Sequence, residues 1–252
     1  MLIVLLTALG VGGATVIGAL AGFMFKNVSH RFNDIILSFA AGVMLCAAVF
    51  GLVAPSMEHG GSFAVLVTCL GIFCGAYILN LIDKMVPHLH RLSGTDIEGH
   101  TEANKSLNKV LLFVMAIAIH NLPEGIAAGV GFGTGNTADA LTIAGGIALQ
   151  NVPEGMVIIA PMMSAGINRK RTLFIALLTG AVEVIGTFIG YFAVSISSAI
   201  LPFALAFAGG TMLYVISDEM IPETHAHGGE RGATYALLAG FCLMLIMDYF
   251  IG

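Results

Sequence analysis

A bundle of about eight membrane-spanning helices is the fold class this sequence predicts, and three observations predict it. Of its 252 residues, 58% are hydrophobic and only 10% charged. A soluble domain carries roughly 25% charged residues, so this chain lacks the polar groups to cover a water-facing surface. Apolar runs of the length of a membrane span, about 20 residues, recur along the whole chain, so 1–252 reads as one transmembrane domain with no room for a sizeable soluble one. No segment alternates apolar and polar residues over roughly ten positions, as the strands of a membrane barrel do. Ten Lys and Arg against fifteen Asp and Glu also exclude a nucleic-acid binder, because no basic face remains for phosphates.

The predicted helices cover about 2–24, 35–57, 63–82, 110–132, 139–163, 173–196, 200–222 and 233–251. The first has no positive segment before it and is longer than the apolar stretch of a signal peptide, so it reads as a retained span. The second closes at Glu58 and His59, two candidates for collecting cations. Between the third and fourth, the stretch from Asp83 to Lys109 holds His88, His90 and His100 among mixed charges and reads as a loop that senses or buffers metal. The seventh carries Asp218 and Glu219 toward its end, followed by Glu223, His225 and His227, a line of acid and imidazole groups that would hand a cation onward. Cys46, Cys69, Cys74 and Cys242 all fall within spans and read as buried packing thiols.

Basic residues orient the bundle. Lys26 and Arg31; Lys84, Arg91, Lys105 and Lys109; Arg169, Lys170 and Arg171; and Arg231 fall in alternate connections, so all ten lie on one side. That side is expected to be cytoplasmic, with both termini outside.

Shifting the chain by 168 residues lays its first three helices on its last three without a gap. Gly12, Val16, Ile17, Gly18 and Gly22 fall on Gly180, Val184, Ile185, Gly186 and Gly190, and Phe39, Ala40, Gly42, Met44 and Leu45 fall on Phe207, Ala208, Gly210, Met212 and Leu213. His59, Gly60 and Gly61 fall on His227, Gly228 and Gly229, and Phe73 and Cys74 on Phe241 and Cys242. The first helix starts outside and the sixth inside, so the copies are inverted, an arrangement typical of secondary transporters. The expected architecture is 3+2+3, with helices four and five on the symmetry axis.

Those two helices carry the chemistry. His120-Asn121-Leu122-Pro123-Glu124-Gly125 recurs 30 residues later as Gln150-Asn151-Val152-Pro153-Glu154-Gly155. Both hexads fall near mid-depth, and in each the first residue, the Asn and the Glu lie on one helix face at i, i+1 and i+4. Pro123 and Pro153 cannot donate to the carbonyls of Ile119 and Leu149, which frees a backbone oxygen in each helix. Glu183 in helix six is a third mid-membrane acid and replaces Thr15 of the other repeat. At about 2.5 to 3.5 kcal/mol per acid at a helix centre, three are hard to reconcile with a structural role. Two readings account for them: a divalent cation that lets them ionise together, or a relay of protonated carboxylates.

The paired H-N-x-P-E-G and Q-N-x-P-E-G hexads in an eight-span chain with outside termini resemble the ZIP (Zrt/Irt-like) divalent metal transporters, over essentially the whole sequence. The resemblance implies two adjacent metal sites. His120, Glu124, Gln150 and Glu154 would form the first with Met44 as a thioether ligand, and Asn121, Glu124, Asn151, Glu154 and Glu183 the second, the two hexad glutamates bridging. Some relatives carry Asp where this chain has Asn151, a change that lowers the charge of the second site. One imidazole, a thioether, amides and carboxylates suit Zn(II), Cd(II) or Fe(II), and the absence of thiolate argues against Cu(I).

The expected function is import of zinc, with cadmium, iron and manganese as further substrates, across the plasma (inner) membrane into the cytoplasm. The resemblance further implies that helices one, four, five and six move against two, three, seven and eight, the latter forming a homodimer interface in the bilayer. No organic cofactor and no enzymatic activity are expected. Two alternatives are a membrane di-metal carboxylate enzyme and a non-transporting metal sensor. Against the enzyme, the chain lacks the Glu-x-x-His spacing of di-iron bundles and the His-Glu-x-x-His of metalloproteases.

Overall fold

The computed structural model describes residues 1–24, 29–85 and 102–251, and these form helices and no strand. In chain order the long helices are α1 (Leu2–Gly22), α2 (His30–Cys46, continuing through Ala47–Val53 and Ala54–His59), α3 (Ala64–Met85) and α4 (Glu102–Gly131). They are followed by α5 (Thr137–Ser164), α6 (Arg169–Ile196), α7 (Leu201–Val215, continuing through Ile216–Met220 and Ile221–His225) and α8 (Glu230–Ile251). Among the described residues, seven of these helical stretches, α1 to α3 and α5 to α8, are long and apolar enough to cross a membrane. Their outward faces carry large apolar side chains such as Leu6, Phe63, Phe73, Tyr235 and Phe250, a surface costly in water and free of cost against lipid.

Side-chain caps start three helices. Ser29 Oγ accepts from the Phe32 amide at 3.2 Å, Asn136 Oδ1 from Ala138 at 3.0 Å and Asn168 Oδ1 from Arg171 at 3.0 Å. Each satisfies an amide with no partner in the first turn. Between α4 and α5 the chain reverses at Gly135, whose φ of 81° a side chain would strain.

α1 packs against α5 and α6, α4 against α6, α3 against α7, and α2 against α8. Glycines bring the backbones together. A β-carbon at Gly18 would strike the Val152 carbonyl and one at Gly22 the Met156 carbonyl, while Gly186 and Gly190 lie the same way against Leu122 and Ile126. Gly12 and Gly180 abut each other. These contacts interchange under a shift of 168 residues in the outer helices and 30 in α4 and α5, so the packing carries the same internal symmetry as the sequence.

Both copies contain a π-helical stretch, Ala47–Val53 and Ile216–Met220, at positions that the 168-residue shift superposes. Each lies just before a proline, Pro55 or Pro222, which cannot donate to the preceding turn. The wider turn absorbs that disruption without breaking the helix.

The helices outrun the apolar segments that predict them. α2 begins at His30 behind its Ser29 cap, α7 reaches His225, and α4 begins at Glu102, so the segment expected as a loop from 83 to 109 is helical from 102 onward. A helix of 30 residues is about 45 Å long, against a hydrocarbon core of about 30 Å. Its polar first turns extend past the apolar run, where hydropathy does not register them. His88, His90 and His100 lie outside the described residues. The cysteines also depart from expectation. Only Cys46 is fully buried, Cys74 is half-buried, and Cys69 and Cys242 are exposed, because lying within a span does not make a side chain face the core: a small thiol facing lipid costs little.

Candidate metal centre

The two hexads lie inside unbroken helices, with Pro123 within α4 and Pro153 within α5. Gly125 seats α4 against the Glu183 carbonyl of α6, and Gly155 seats α5 against the Thr15 carbonyl of α1. The glycine after each hexad glutamate therefore draws a neighbouring helix onto the polar face.

Around Glu183 the donors converge. Asn121 Nδ2 donates to Glu183 Oε1 at 2.5 Å, Thr15 Oγ1 to the same oxygen at 2.7 Å, and Asn151 Nδ2 to Oε2 at 2.6 Å. Asn151 Nδ2 also reaches the Val11 carbonyl at 3.2 Å. Glu183, Asn121, Asn151 and Thr15 are all buried. One carboxylate from α6 is thus held by three other helices, α1, α4 and α5.

Glu124 is treated differently. Gln150 Nε2 donates to its Oε1 at 2.8 Å, while its Oε2 has no hydrogen-bond partner. Asn121 Oδ1, Gln150 Oε1 and Asn151 Oδ1 are also buried without one. All four unpartnered atoms are acceptor oxygens on the hexads. A buried acceptor left without a donor costs about 1 to 3 kcal/mol, so the hexads hold a set of oxygens whose demand only a donor or a cation meets.

At the edge of this cluster His120 Nε2 lies 3.0 Å from Glu219 Oε1, joining α4 to the π-helical stretch of α7. Glu154, on the same face as Gln150 and Asn151, is half-buried and interacts electrostatically with His120. Among the described residues no three His, Cys, Asp or Glu side chains gather into a cage of their own. The centre mixes carboxylates with amides instead.

The remaining expected residues fall elsewhere. Met44 is buried in the main apolar core with Ala128 and Ile147. Glu58 and His59 are exposed at the end of α2, with His59 Nδ1 2.8 Å from the Pro55 carbonyl. That end lies fourteen residues beyond Met44, or about 21 Å along the helix. Asp218 and Glu223 are exposed, and His225 Nδ1 is 2.8 Å from the Ile221 carbonyl. His227 Nδ1 lies 3.2 Å from Asp34 Oδ1, and the His30 ring stacks on it at 5.1 Å.

Two of these partners have no site role in the sequence reading. Thr15 is flagged only as the repeat mate of Glu183, and Asp34 carries no signal, since its partner His227 lies 193 residues away.

Comparison with known proteins places the chain in a family. The family model described as ZIP Zinc transporter matches residues 1–248. Zinc transporter GufA of Myxococcus xanthus is 41% identical over 254 residues, with 98% of each chain covered. Zinc transporter ZIPB of Bordetella bronchiseptica is 37% identical over 248 residues, covering 95% of this chain and 78% of its own. Zinc transporter ZIP11 of Homo sapiens is 30% identical over 323 residues, covering 95% of this chain and 94% of its own. This integral membrane protein, with its paired hexads at the packed centre of the bundle, belongs to the ZIP zinc transporter family.

Proposed function

We propose that the protein carries zinc across the membrane into the cytoplasm through a centre built by α4, α5 and α6. The observation that carries this reading is the set of four buried acceptor oxygens without hydrogen-bond partners, Asn121 Oδ1, Glu124 Oε2, Gln150 Oε1 and Asn151 Oδ1. A divalent cation supplies what they lack and offsets the repulsion among Glu124, Glu154 and Glu183. Oxygen and imidazole donors of this kind suit zinc, and extend to cadmium, iron and manganese. The names of the relatives, all zinc transporters, support zinc as the cargo.

In this reading His120, Glu124, Gln150 and Glu154 bind the first ion, with Met44 as a thioether ligand. Asn121, Asn151 and Glu183 share Glu124 and Glu154 in a second site. The symmetric packing supports eight spans in a 3+2+3 arrangement with inverted repeats. α1, α4, α5 and α6 move as one body against α2, α3, α7 and α8, the latter pairing with a second copy in the bilayer. Termini lie outside, Glu58 and His59 gather cations there, and Glu219, Asp218, Glu223, His225 and His227 pass them to the cytoplasm. The protein works as a carrier, neither an enzyme nor a sensor.

Purified protein in zinc-loaded liposomes tests this. Zinc flux is expected in the wild type and absent in Glu124→Ala and Glu154→Ala variants that still fold. Native flux in both variants, or none in the wild type, overturns the reading.

A further inference from the structure

Five buried threonines inside the helices of this protein turn their hydroxyls onto their own backbone, and Thr68 shares its hydroxyl with Ser56. Thr172, Thr179, Thr187, Thr211 and Thr224 donate to the carbonyls of Asn168, Ala176, Glu183, Ala208 and Met220, at 2.7 to 3.2 Å. Such back-bonding is the default for a helical threonine. Thr15 is 1% exposed, yet it donates across a helix boundary to a carboxylate, Glu183 Oε1, at 2.7 Å. Both ends of that bond are anchored. The Thr15 carbonyl rests on Gly155 and the Glu183 carbonyl on Gly125, the glycines that follow the two hexad glutamates. The separation of donor and acceptor is therefore set by the same contacts that bring the hexads together, and the branched Thr15 side chain has few rotamers in a helix.

The other two donors on Glu183, Asn121 and Asn151, also carry buried oxygens without a hydrogen-bond partner. An amide that turns its oxygen to an ion gives up or shifts its donor. Thr15 has no second duty.

We infer that Thr15 is a positioning residue of the transport centre: its hydroxyl holds the Glu183 carboxylate in one orientation toward α4 and α5 while the asparagines change partners around the cation. This rests on the zinc-carrier reading above.

The test is zinc uptake kinetics in proteoliposomes for the wild type, Thr15→Val, Thr15→Ser, Glu183→Gln and the Thr15→Val/Glu183→Gln double variant. Losing one hydrogen bond to a charged group predicts a KM for zinc raised about tenfold or more in Thr15→Val, with the maximal rate changed much less. Thr15→Ser, which keeps the hydroxyl, stays near the wild type. Thr15→Val costs less on the Glu183→Gln background than on the wild type, because the hydrogen bond it removes there ends on a neutral amide rather than a carboxylate. Thr15→Ala replaces Thr15→Val if the valine variant does not reach the membrane. An unmoved KM in Thr15→Val, a Thr15→Ser variant as impaired as Thr15→Val, or a full further loss in the double variant overturns the role of Thr15. Absence of flux in the wild type overturns the carrier reading itself.

Discussion

Glu183 and Glu124 are two buried carboxylates of one centre, held in opposite ways. Glu183 receives three donors over its two oxygens, whereas Glu124 receives one and keeps Oε2 without a partner. Hydrogen bonds to charged groups contribute about 1.5 to 3 kcal/mol each, enough for three of them to offset the cost of about 2.5 to 3.5 kcal/mol for an intramembrane acid. Glu183 is accordingly seated before cargo arrives. Glu124 lacks that compensation and has the most to gain from a cation. In the proposed function, one carboxylate is a pre-set wall of the centre and the other its principal ligand.

That contrast orders the expected losses. Removing the ligand is the most damaging: Glu124→Ala abolishes zinc uptake to the level of empty liposomes, and Glu154→Ala does the same. Neutralising the wall costs less. Glu183→Gln keeps an oxygen for one of its donors and raises the KM for zinc by about tenfold to a hundredfold; a loss as complete as that of Glu124→Ala erases the distinction between the two acids. Glu219 reaches the centre from α7 through His120. Glu219→Gln preserves an acceptor for that contact and changes uptake by a few-fold, the scale of one ordinary hydrogen bond at about 0.5 to 1.5 kcal/mol. Exposed groups at the far end of α2 matter least. Glu58→Gln and His59→Ala, at exposed residues that gather cations without ligating them, slow uptake by about twofold, the scale of about 0.5 kcal/mol, and a tenfold loss in either places a binding site at that end of α2.

The sequence reading and the structure meet where the signal is local or periodic. The hexads are six-residue words on one helix face, and the 168-residue repeat is a constant offset; both reappear in the glycine contacts of α1, α4, α5 and α6. What hydropathy misses are features set by partners distant in the chain. Neither the Thr15 bond to Glu183 nor the Asp34 contact with His227 leaves a pattern within a window of either residue. Helix ends are missed for a different reason. The polar first turns of α4 are helical by backbone hydrogen bonding, while an apolar run marks only the part that faces lipid or core. The exposed Cys69 and Cys242 show the same limit, since position within a span does not say which way a side chain faces.

The central claim, that the hexads form the cation centre, is tested most directly by the anomalous scattering of zinc-soaked crystals at the zinc edge. A peak is expected among His120, Glu124, Gln150 and Glu154 that vanishes in the Glu124→Ala/Glu154→Ala variant. A peak located away from both hexads, or one that persists unchanged in that variant, contradicts it.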